Sequence, residues 1–333
     1  MKALVTGATG FIGSAIVREL LKDGVEVKAL VRKGSDTRNI GGLDVEQAYG
    51  DIRDKDSVKA ALKGCNTFYQ AAALYAVRGV PEEQFYDINV EGTRAALTAA
   101  LEQGMEKVVY TSSIAAVGCC TEKKPVDENT IFNLGKLGIP YVTTKYLGEQ
   151  AAMEFARRGL PLVMVNPAVV VGVRDVKPTP SGQIVLNILN GKYPAYPDGG
   201  ANFVDVEDVA RGHVLAAQKG KIGQRYILGN ANMTVGEFFR LVGEVAGVTV
   251  PARKIPASVM VSLGYVSQFV SAVARKPATM DAKSARFACA YTYCDCSKAV
   301  TELGMPQTPI RTTVEKAVDW FTDNGYVVRR TKR

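Results

Sequence analysis

Short apolar runs alternate with helical patterns through the first half of the chain. The runs at 3–5, 27–31, 67–70, 107–111 and 162–165 predict buried strands. Between them, apolar residues recur at three- and four-residue spacing over 12–23, 56–63, 89–103 and 141–158, which predicts amphipathic helices. Because consecutive parallel strands need right-handed crossover helices, this alternation predicts an α/β fold with a doubly wound parallel sheet.

The pattern changes after Asn166, where proline and glycine become frequent and the elements shorten. A segment at 203–210, followed by a helix to Gln218, indicates a return to the first part. We therefore expect two domains. The larger comprises 1–168 plus about 202–228, the smaller α/β domain comprises 169–201 plus 229–325, and 326–333 form a basic tail.

One apolar segment, 255–274, carries no charged residue. Its serines, together with Pro256, Gly264 and Gln268, make it a poor membrane span. We expect a buried or pocket-lining helix here, and docking of the helix at a membrane surface is the alternative.

Charge and cysteine usage exclude several classes of partner. The formal net charge is +8, and the last five residues contribute Arg329, Arg330, Lys332 and Arg333 to it. Without interleaved aromatic residues or a nucleic-acid-binding motif, we expect no nucleic-acid partner. Six irregularly spaced cysteines and a single histidine, His213, indicate neither a metal site nor a disulfide framework. Because the sequence opens directly on a predicted strand, we expect no signal peptide and a cytoplasmic protein.

A glycine pattern joins the first predicted strand to the first helix. Glycine is needed where the chain turns tightly and where backbone must approach a pyrophosphate, and the helix N terminus offers N–H groups and a favourable dipole to the anion. The position of the pattern predicts a dinucleotide-binding loop. Its candidate residues are Gly7, Thr9, Gly10, Phe11, Ile12 and Gly13.

The end of the second strand decides which dinucleotide is favoured. An acidic side chain there would hold the ribose 2′-hydroxyl of NAD(H), but this chain has Arg32. A guanidinium pairs with a 2′-phosphate through two hydrogen bonds, so NADP(H) is favoured and NAD(H) is the alternative. Arg38 is a second candidate for the same phosphate.

Further cofactor candidates follow the third and fourth predicted strands. The third is an additional apolar run that ends before Gly50, and the fourth is the run at 67–70. Asp51, next to Ile52, is suited to accept a hydrogen bond from an adenine amino group. Small side chains after the fourth strand would let a cofactor lie close to the backbone. These are Ala71, Ala72 and Ala73.

Three residues form a candidate catalytic group. Tyr141 and Lys145 stand one helical turn apart, so both can face one cleft, and Ser113 follows the fifth strand, which ends at Thr111. A nearby lysine cation favours the phenolate and would lower the pKa of Tyr141. Tyr141 can then protonate a carbonyl oxygen or deprotonate an alcohol. Tyr75 is a candidate for lining the substrate site, whereas Cys119 and Cys120 are expected to pack at its border.

With these residues, the chain resembles the extended short-chain dehydrogenase/reductase family over nearly its whole length. The matching pieces are 7–13, 51–52, 89–93, Ser113, Tyr141 with Lys145, 166–167 and 203–210. The segment 166–172 and the basic Arg32 look like the dihydroflavonol-reductase-like branch. The segment 174–182 looks like bacterial proteins named hopanoid-associated sugar epimerases.

The resemblance implies a Rossmann-type cofactor domain, a smaller substrate-binding domain and hydride transfer between a nicotinamide and a carbon bearing oxygen. It implies that Tyr141 is the acid/base, that Lys145 binds the nicotinamide ribose and that Ser113 orients the substrate. It also implies cofactor contacts from Asn89, Thr111, Tyr141, Lys145, Pro167 and Val170. Family members often pair through the helices at 89–103 and 141–158, so we expect a homodimer.

One departure from the family pattern bears on the substrate. Nucleotide-sugar epimerases of this family carry an arginine just before the segment that starts at Phe203, where this chain has Asn202. The first hypothesis is therefore an NADP(H)-dependent oxidoreductase acting on an apolar carbonyl compound or alcohol. The alternative is an NAD(P)-dependent sugar or nucleotide-sugar epimerase or dehydratase, in which Arg174, Lys177 or Lys192 would compensate. A third is a redox-sensing or scaffold protein that binds the dinucleotide without chemistry.

Overall fold

A computed structural model describes residues 1–75, 80–120, 124–274 and 281–327 of the chain. The elements of the first half are β1 (Lys2–Thr6), α1 (Phe11–Lys22), β2 (Glu26–Val31), β3 (Val45–Tyr49), α2 (Lys55–Leu62), β4 (Thr67–Gln70), α3 (Glu82–Tyr86), α4 (Gly92–Glu102), β5 (Lys107–Thr111), α5 (Pro140–Arg157) and β6 (Leu162–Pro167). The second half contains β7 (Val169–Val171), α6 (Pro180–Leu189), β8 (Tyr196–Pro197), β9 (Gly200–Asp205), α7 (Val206–Lys219), β10 (Arg225–Leu228), β11 (Ala231–Thr234), α8 (Val235–Ala246), β12 (Lys254–Ile255), α9 (Ala257–Ala274), α10 (Ala282–Ala288), β13 (Tyr291–Thr292) and α11 (Ile310–Asp323).

The main sheet has seven parallel strands in the order β10-β6-β5-β4-β1-β2-β3. The central strands are buried on both faces because helices cover both, which explains their continuous apolar runs. The predicted Rossmann-type, doubly wound sheet is therefore confirmed. The order reverses between β1 and β4, so a crevice opens at the carboxyl ends of these strands, where this architecture binds ligands.

Two apolar layers hold the helices to this sheet. On one face, α1 and α7 pack together over the strands through residues such as Ile16, Leu20 and Val209. On the other face, α2, α4 and α5 bury residues such as Leu97 and Phe155. The spacing of these residues is the helical periodicity that the sequence shows, so the layers follow directly from it.

A second, smaller sheet forms around β9, which pairs with β7, β11 and β13. The helices α6, α8 and α11 cover it, and Phe203 stacks on Phe238 with ring centroids 4.0 Å apart. Since β9 belongs to this sheet whereas α7 packs on α1, the chain returns to the main layer at Val206. We propose the two-domain division given above, with the return to the larger domain at Val206 and not at about 202.

The apolar segment 255–274 is not the buried or pocket-lining helix that was expected. It forms α9, and its large side chains, including Phe269, are exposed. The reason is that α9 packs on α10 through Gly264, and only part of its apolar surface, such as the half-buried Met260 and Val261, is shielded. Among the helices that the structure describes, none is both long and apolar enough to cross a membrane.

The start of the expected basic tail is part of the fold. The ring of Tyr326 packs against Trp320 and Phe321, and its hydroxyl donates to the carbonyl oxygen of Val176 at 2.8 Å. The rest of the tail, 328–333, lies outside the described residues.

Candidate active site

The glycine-rich loop between β1 and α1 is shaped by close backbone contacts. Gly7 has a positive φ of 67°, and a Cβ on it would lie 2.8 Å from the Ala72 nitrogen. A Cβ on Gly13 would overlap the Gly7 carbonyl oxygen. Glycine is therefore required at both positions. The Thr9 carbonyl oxygen accepts a hydrogen bond from the Asn39 side chain at 3.1 Å, which anchors the middle of the loop.

The start of α1 is open to an anion. Its N-cap residue, Gly10, makes no side-chain capping bond, and no acidic residue lies in the first turn, where Phe11 and Ile12 are half-buried. The first N–H groups of the helix thus keep their capacity to donate and the positive end of the dipole is not neutralised. These observations fit the diphosphate of a dinucleotide.

The two arginines expected to select the cofactor differ in their surroundings. Arg38 is paired with Asp36 through two hydrogen bonds, Nε to Oδ1 at 3.0 Å and Nη2 to Oδ2 at 2.7 Å. Arg32 is exposed, and no carboxylate in the described part of the chain forms an ion pair with it. Arg32 is therefore the better placed of the two to meet an added phosphate.

Asp51 is held as a carboxylate by a neighbour that the sequence analysis did not consider. Arg53 donates to both of its oxygens, at 3.0 and 2.9 Å, and this hydrogen bonding keeps the pKa of Asp51 below its ordinary value. Asp51 can accept further hydrogen bonds in this state. Ile52, beside it, is buried against α4 near Gly92.

The loop after β4 is fixed from two sides. The Thr6 hydroxyl accepts from the backbone nitrogens of Ala71 and Ala72, both at 3.2 Å, while Ala73 follows in the same loop. Asn89, which is also predicted to contact the cofactor, is buried, and its amide bonds to Leu74 and Thr144. It accepts from the Leu74 nitrogen at 2.7 Å and donates to the Leu74 oxygen and the Thr144 hydroxyl.

The candidate catalytic residues meet at the carboxyl end of β5. The Tyr141 hydroxyl donates to Ser113 Oγ at 3.3 Å, and that oxygen also accepts from the Ala115 nitrogen at 3.2 Å. The buried Lys145 ammonium donates to the Thr111 carbonyl oxygen at 2.7 Å. Two residues of α5 and one that follows β5 are thus brought to one end of the sheet, although 28 positions separate Ser113 from Tyr141.

The pKa directions differ from the sequence-based expectation. Burial raises the pKa of Tyr141 above its ordinary value, opposed by the hydrogen bond with Ser113. Burial also lowers the pKa of Lys145 to about 8, opposed by the charge of Glu149. We expected Lys145 to lower the pKa of Tyr141. In the protein chain alone this pKa is raised, because burial disfavours the charged phenolate.

An ionic network beneath the candidate catalytic group was missed by sequence reasoning. Glu149 is fully buried, accepts from Arg225 Nη1 at 2.9 Å and also accepts from the Asn166 amide. The same amide nitrogen donates to the Ser113 carbonyl oxygen at 3.0 Å. The signal available in the sequence was an acidic residue one helical turn after Lys145, on the buried face of α5.

Glu149→Gln should destabilise the protein by about 3 kcal/mol. The side chain of Arg225 is only 13% exposed, and the change leaves this largely buried cation without its carboxylate. The matched control is Glu154→Gln on the same helix. Glu154 forms an exposed pair with Arg94 at 3.1 Å, so its loss should cost under about 1 kcal/mol. Urea denaturation of the three proteins measures the difference, and equal unfolding free energies for the two variants would contradict this account.

A buried histidine supports the same strand. His213 Nδ1 lies 2.7 Å from the Val209 carbonyl oxygen, which can only accept, so Nδ1 carries the proton. Nε2 then accepts from the Thr111 hydroxyl at 3.0 Å. Burial lowers the pKa of His213 to about 4, so the ring is neutral.

The buried His213 predicts a loss of stability in acid. Its folded pKa of about 4 lies below the ordinary 6.5, so the unfolded chain binds more protons between these values. Stability therefore falls as the pH drops from 6.5 to 4, by on the order of 3 kcal/mol from this group.

His213→Gln should remove this contribution. Asp175, whose pKa burial raises to about 6, titrates with the opposite sign, so the difference between wild type and variant isolates His213. Denaturation at pH 7.5 and 4.5 measures that difference, and an unchanged pH dependence would refute the assignment.

The strand β9 offers no positive charge at Asn202. Asn202, which stands where sugar-nucleotide epimerases carry arginine, is fully buried and bonded to Asn230 and Asn232. Pro167 ends β6, and the carbonyl oxygen of Val170 in β7 accepts from the Ser181 hydroxyl at 2.6 Å.

The remaining candidates lie in the segments that connect strands and helices. Tyr75 is 40% exposed after β4. Arg174 has a positive φ of 67°, unusual for a residue with a side chain, and Lys177 lies 3.8 Å from Asp36. Lys192 is exposed after α6.

The two adjacent cysteines have packing roles. Cys119 packs in the apolar cluster that includes Tyr141, and the Cys120 thiol contacts the Tyr293 carbonyl oxygen at 3.2 Å. Burial raises the pKa of both thiols, which disfavours the reactive thiolate.

The sheet order, the crevice and the loop before α1 define a Rossmann-type α/β protein. The family model for the NAD dependent epimerase/dehydratase family matches residues 3–229, and the chain belongs to this family. A Synechocystis protein provisionally named dihydroflavonol 4-reductase is 38% identical over 327 residues, which cover 97% of this chain and 95% of that protein. Sterol demethylase protein B of Methylococcus capsulatus is 33% identical over 329 residues, covering 98% and 100%.

Solved structures show the same architecture. The crystal structure of a protein designated gox2253 is 40% identical, with a TM-score of 0.89 and coverage of 98% of this chain and 99% of that one. The UDP-glucose 4-epimerase of Thermotoga maritima, at 22% identity, has a TM-score of 0.77 and coverage of 97% and 99%. That second likeness shows the fold alone.

Proposed function

We propose that the protein is an NADP(H)-dependent oxidoreductase that interconverts a carbonyl compound and an alcohol. The observation that carries the proposal is the hydrogen bond from Tyr141 to Ser113 at the carboxyl end of β5, with the Lys145 ammonium fixed beside it on Thr111. A phenol and a hydroxyl that share one hydrogen bond can both turn to one substrate oxygen. This is the arrangement that general acid/base catalysis at an oxygen requires.

In reduction, Tyr141 donates its proton to the carbonyl oxygen, and Ser113 donates a hydrogen bond to the same atom. The Ala115 nitrogen keeps Ser113 Oγ in position while its proton turns toward the substrate. Below about pH 8, Lys145 is protonated and places a positive charge at this end of the strand. A bound nicotinamide supplies the hydride in reduction and accepts it in oxidation. Gly7 to Gly13 would hold its diphosphate.

The choice of NADP(H) rests on Arg32. It is exposed after β2, and no carboxylate of the described residues pairs with it, so a 2′-phosphate would meet a free guanidinium. The acidic neighbour Asp36 is already neutralised by Arg38 and approached by Lys177. NAD(H) remains the alternative cofactor.

The second candidate function is a sugar or nucleotide-sugar epimerase or dehydratase. The family to which the chain belongs, the NAD dependent epimerase/dehydratase family, favours it. The buried Asn202 disfavours it, because this position offers no cation for a diphosphate. The names of the two full-length relatives, a dihydroflavonol 4-reductase and a sterol demethylase component, support the reductase over the epimerase.

A substrate panel separates the two candidates. Purified protein is mixed with NADPH and apolar aldehydes or ketones, and with sugar nucleotides in parallel. We expect oxidation of NADPH with at least one carbonyl compound. The loss of absorbance of the reduced nicotinamide measures this oxidation. Turnover of a sugar nucleotide with no net change in cofactor would overturn the proposal in favour of the epimerase.

We also propose that two chains pair through α4 and α5. These helices lie side by side on one face of the main sheet, and their exposed surface carries the Arg94–Glu154 pair. Sedimentation velocity should show a dimer, and a reversal of charge at Arg94 should weaken it.

A further inference from the structure

Helix α9 turns its apolar stripe toward the solvent. Val259, Leu263, Val266 and Val270 recur at intervals of four and three residues, so they lie on one face, with Phe269 beside them. Their exposed fractions run from 48% for Val259 and Leu263 to 72% for Phe269. Single exposed apolar side chains are ordinary, but a continuous patch of large ones marks an interaction surface.

The opposite face of α9 packs on α10, so the helix cannot rotate to bury the stripe. A Cβ on Gly264 would lie 2.7 Å from the Ala282 Cα, so the two helices touch through backbone. Gln268 Oε1 accepts from the Ala282 nitrogen at 3.2 Å. A helix that buries a glycine against its neighbour and exposes valine, leucine and phenylalanine has its apolar side chains on the opposite face from that of an ordinary surface helix.

The surroundings of the stripe are positively charged. No acidic residue stands between Glu244 and Asp281 in the sequence. The exposed Arg253 and Lys254 precede α9, and Lys254 also pairs with Asp198 at 3.2 Å. On α10, Arg286 donates to the Tyr265 hydroxyl at 3.0 Å, which puts its guanidinium at the edge of the stripe.

We propose that α9 docks flat on an anionic lipid bilayer. An apolar stripe with a basic border fits the acyl boundary and the charged headgroups of such a surface at the same time. A second copy of the chain fits less well. A symmetric contact through this stripe would bring the basic borders of the two copies together, and like charges oppose association.

The docking surface is connected to the candidate catalytic group. The Lys283 ammonium on α10 donates to the Gly138 carbonyl oxygen at 2.9 Å, just before α5 begins. Phe287, also on α10, packs in the apolar cluster that contains Tyr141. If the proposed oxidoreductase function holds, docking would bring the cleft beside the bilayer, and its substrate class would be carbonyl compounds dissolved in lipid.

Vesicle cosedimentation tests the docking without use of the enzymatic activity. The full chain is mixed with vesicles of phosphatidylcholine alone, or of phosphatidylcholine with phosphatidylglycerol. We expect binding to the anionic vesicles that weakens with salt. The double variant Leu263→Asp/Phe269→Asp should lower the partition coefficient at least about tenfold, and Arg253→Glu by about fivefold.

The control is Ile131→Asp, which changes an isoleucine that is 88% exposed and lies beside Tyr146, Gln150 and Met153 of α5 and not on α9. This variant should bind vesicles as wild type does. The changed side chains are exposed, so each variant should fold. Thermal unfolding and cofactor binding check that it does. Absence of wild-type binding to both vesicle types would overturn the proposal. So would sedimentation velocity showing a dimer that the double variant abolishes, which would assign the stripe to a second copy.

Discussion

Tyr141→Phe is expected to lower the turnover number for carbonyl reduction by about 10²–10⁴-fold while leaving the affinity for NADPH within about twofold. The change removes only the hydroxyl whose proton goes to the substrate oxygen. The ring stays in its apolar cluster, so the fold should be unaffected. Steady-state rates and a cofactor titration on the same preparation separate the two effects.

The matched control is Tyr146→Phe, one helical turn further along α5. The Tyr146 ring stacks on Phe132 with centroids 4.1 Å apart, and its hydroxyl takes no part in the candidate catalytic group. This variant should keep wild-type rates. If both variants keep wild-type activity, Tyr141 is not the acid and the proposed mechanism is wrong.

Gly13→Ala should weaken NADPH binding on the order of 100-fold or more. The added Cβ would overlap the Gly7 carbonyl oxygen, so the loop that precedes α1 must shift, and small displacements of positioning groups carry losses of this order. Fluorescence titration with NADPH measures the dissociation constant.

Gly41→Ala serves as the control for this change. Its added Cβ would lie 3.6 Å from the Arg38 carbonyl oxygen, an ordinary van der Waals distance, so cofactor binding should remain at the wild-type level. Circular dichroism shows whether the Gly13 variant is folded. A folded Gly13→Ala protein with unchanged affinity would exclude this loop as the diphosphate site.

Sequence reasoning recovered the features that depend on local pattern. Except for β10, the strands of the main sheet follow from short apolar runs, and the loop at Gly7 to Gly13 follows from glycine spacing at a strand-helix junction. The position of Ser113 at the ligand-binding edge of the sheet could also be anticipated, because parallel strands end there, whereas its contact with Tyr141 depends on how α5 packs.

Features that depend on contacts distant in sequence were not recovered. Glu149 meets Arg225 across 76 positions. The pairing of Asp36 with Arg38 is local, but it was missed because it depends on the conformation of the turn after β2. The exposure of α9 was missed because an uncharged apolar run looks the same whether its stripe faces the core or the solvent. The direction of the Tyr141 pKa was missed because burial is a property of the folded chain.

The cofactor site is the part of the account on which the proposed function depends most. The direct measurement is a fluorescence titration of wild type and Arg32→Glu with NADPH and with NADH. We expect wild type to prefer NADPH and the variant to lose about 10- to 100-fold in NADPH affinity, with little change for NADH. Equal affinity of wild type for both cofactors, or NAD that remains bound through purification, would contradict the role of Arg32 and favour the epimerase.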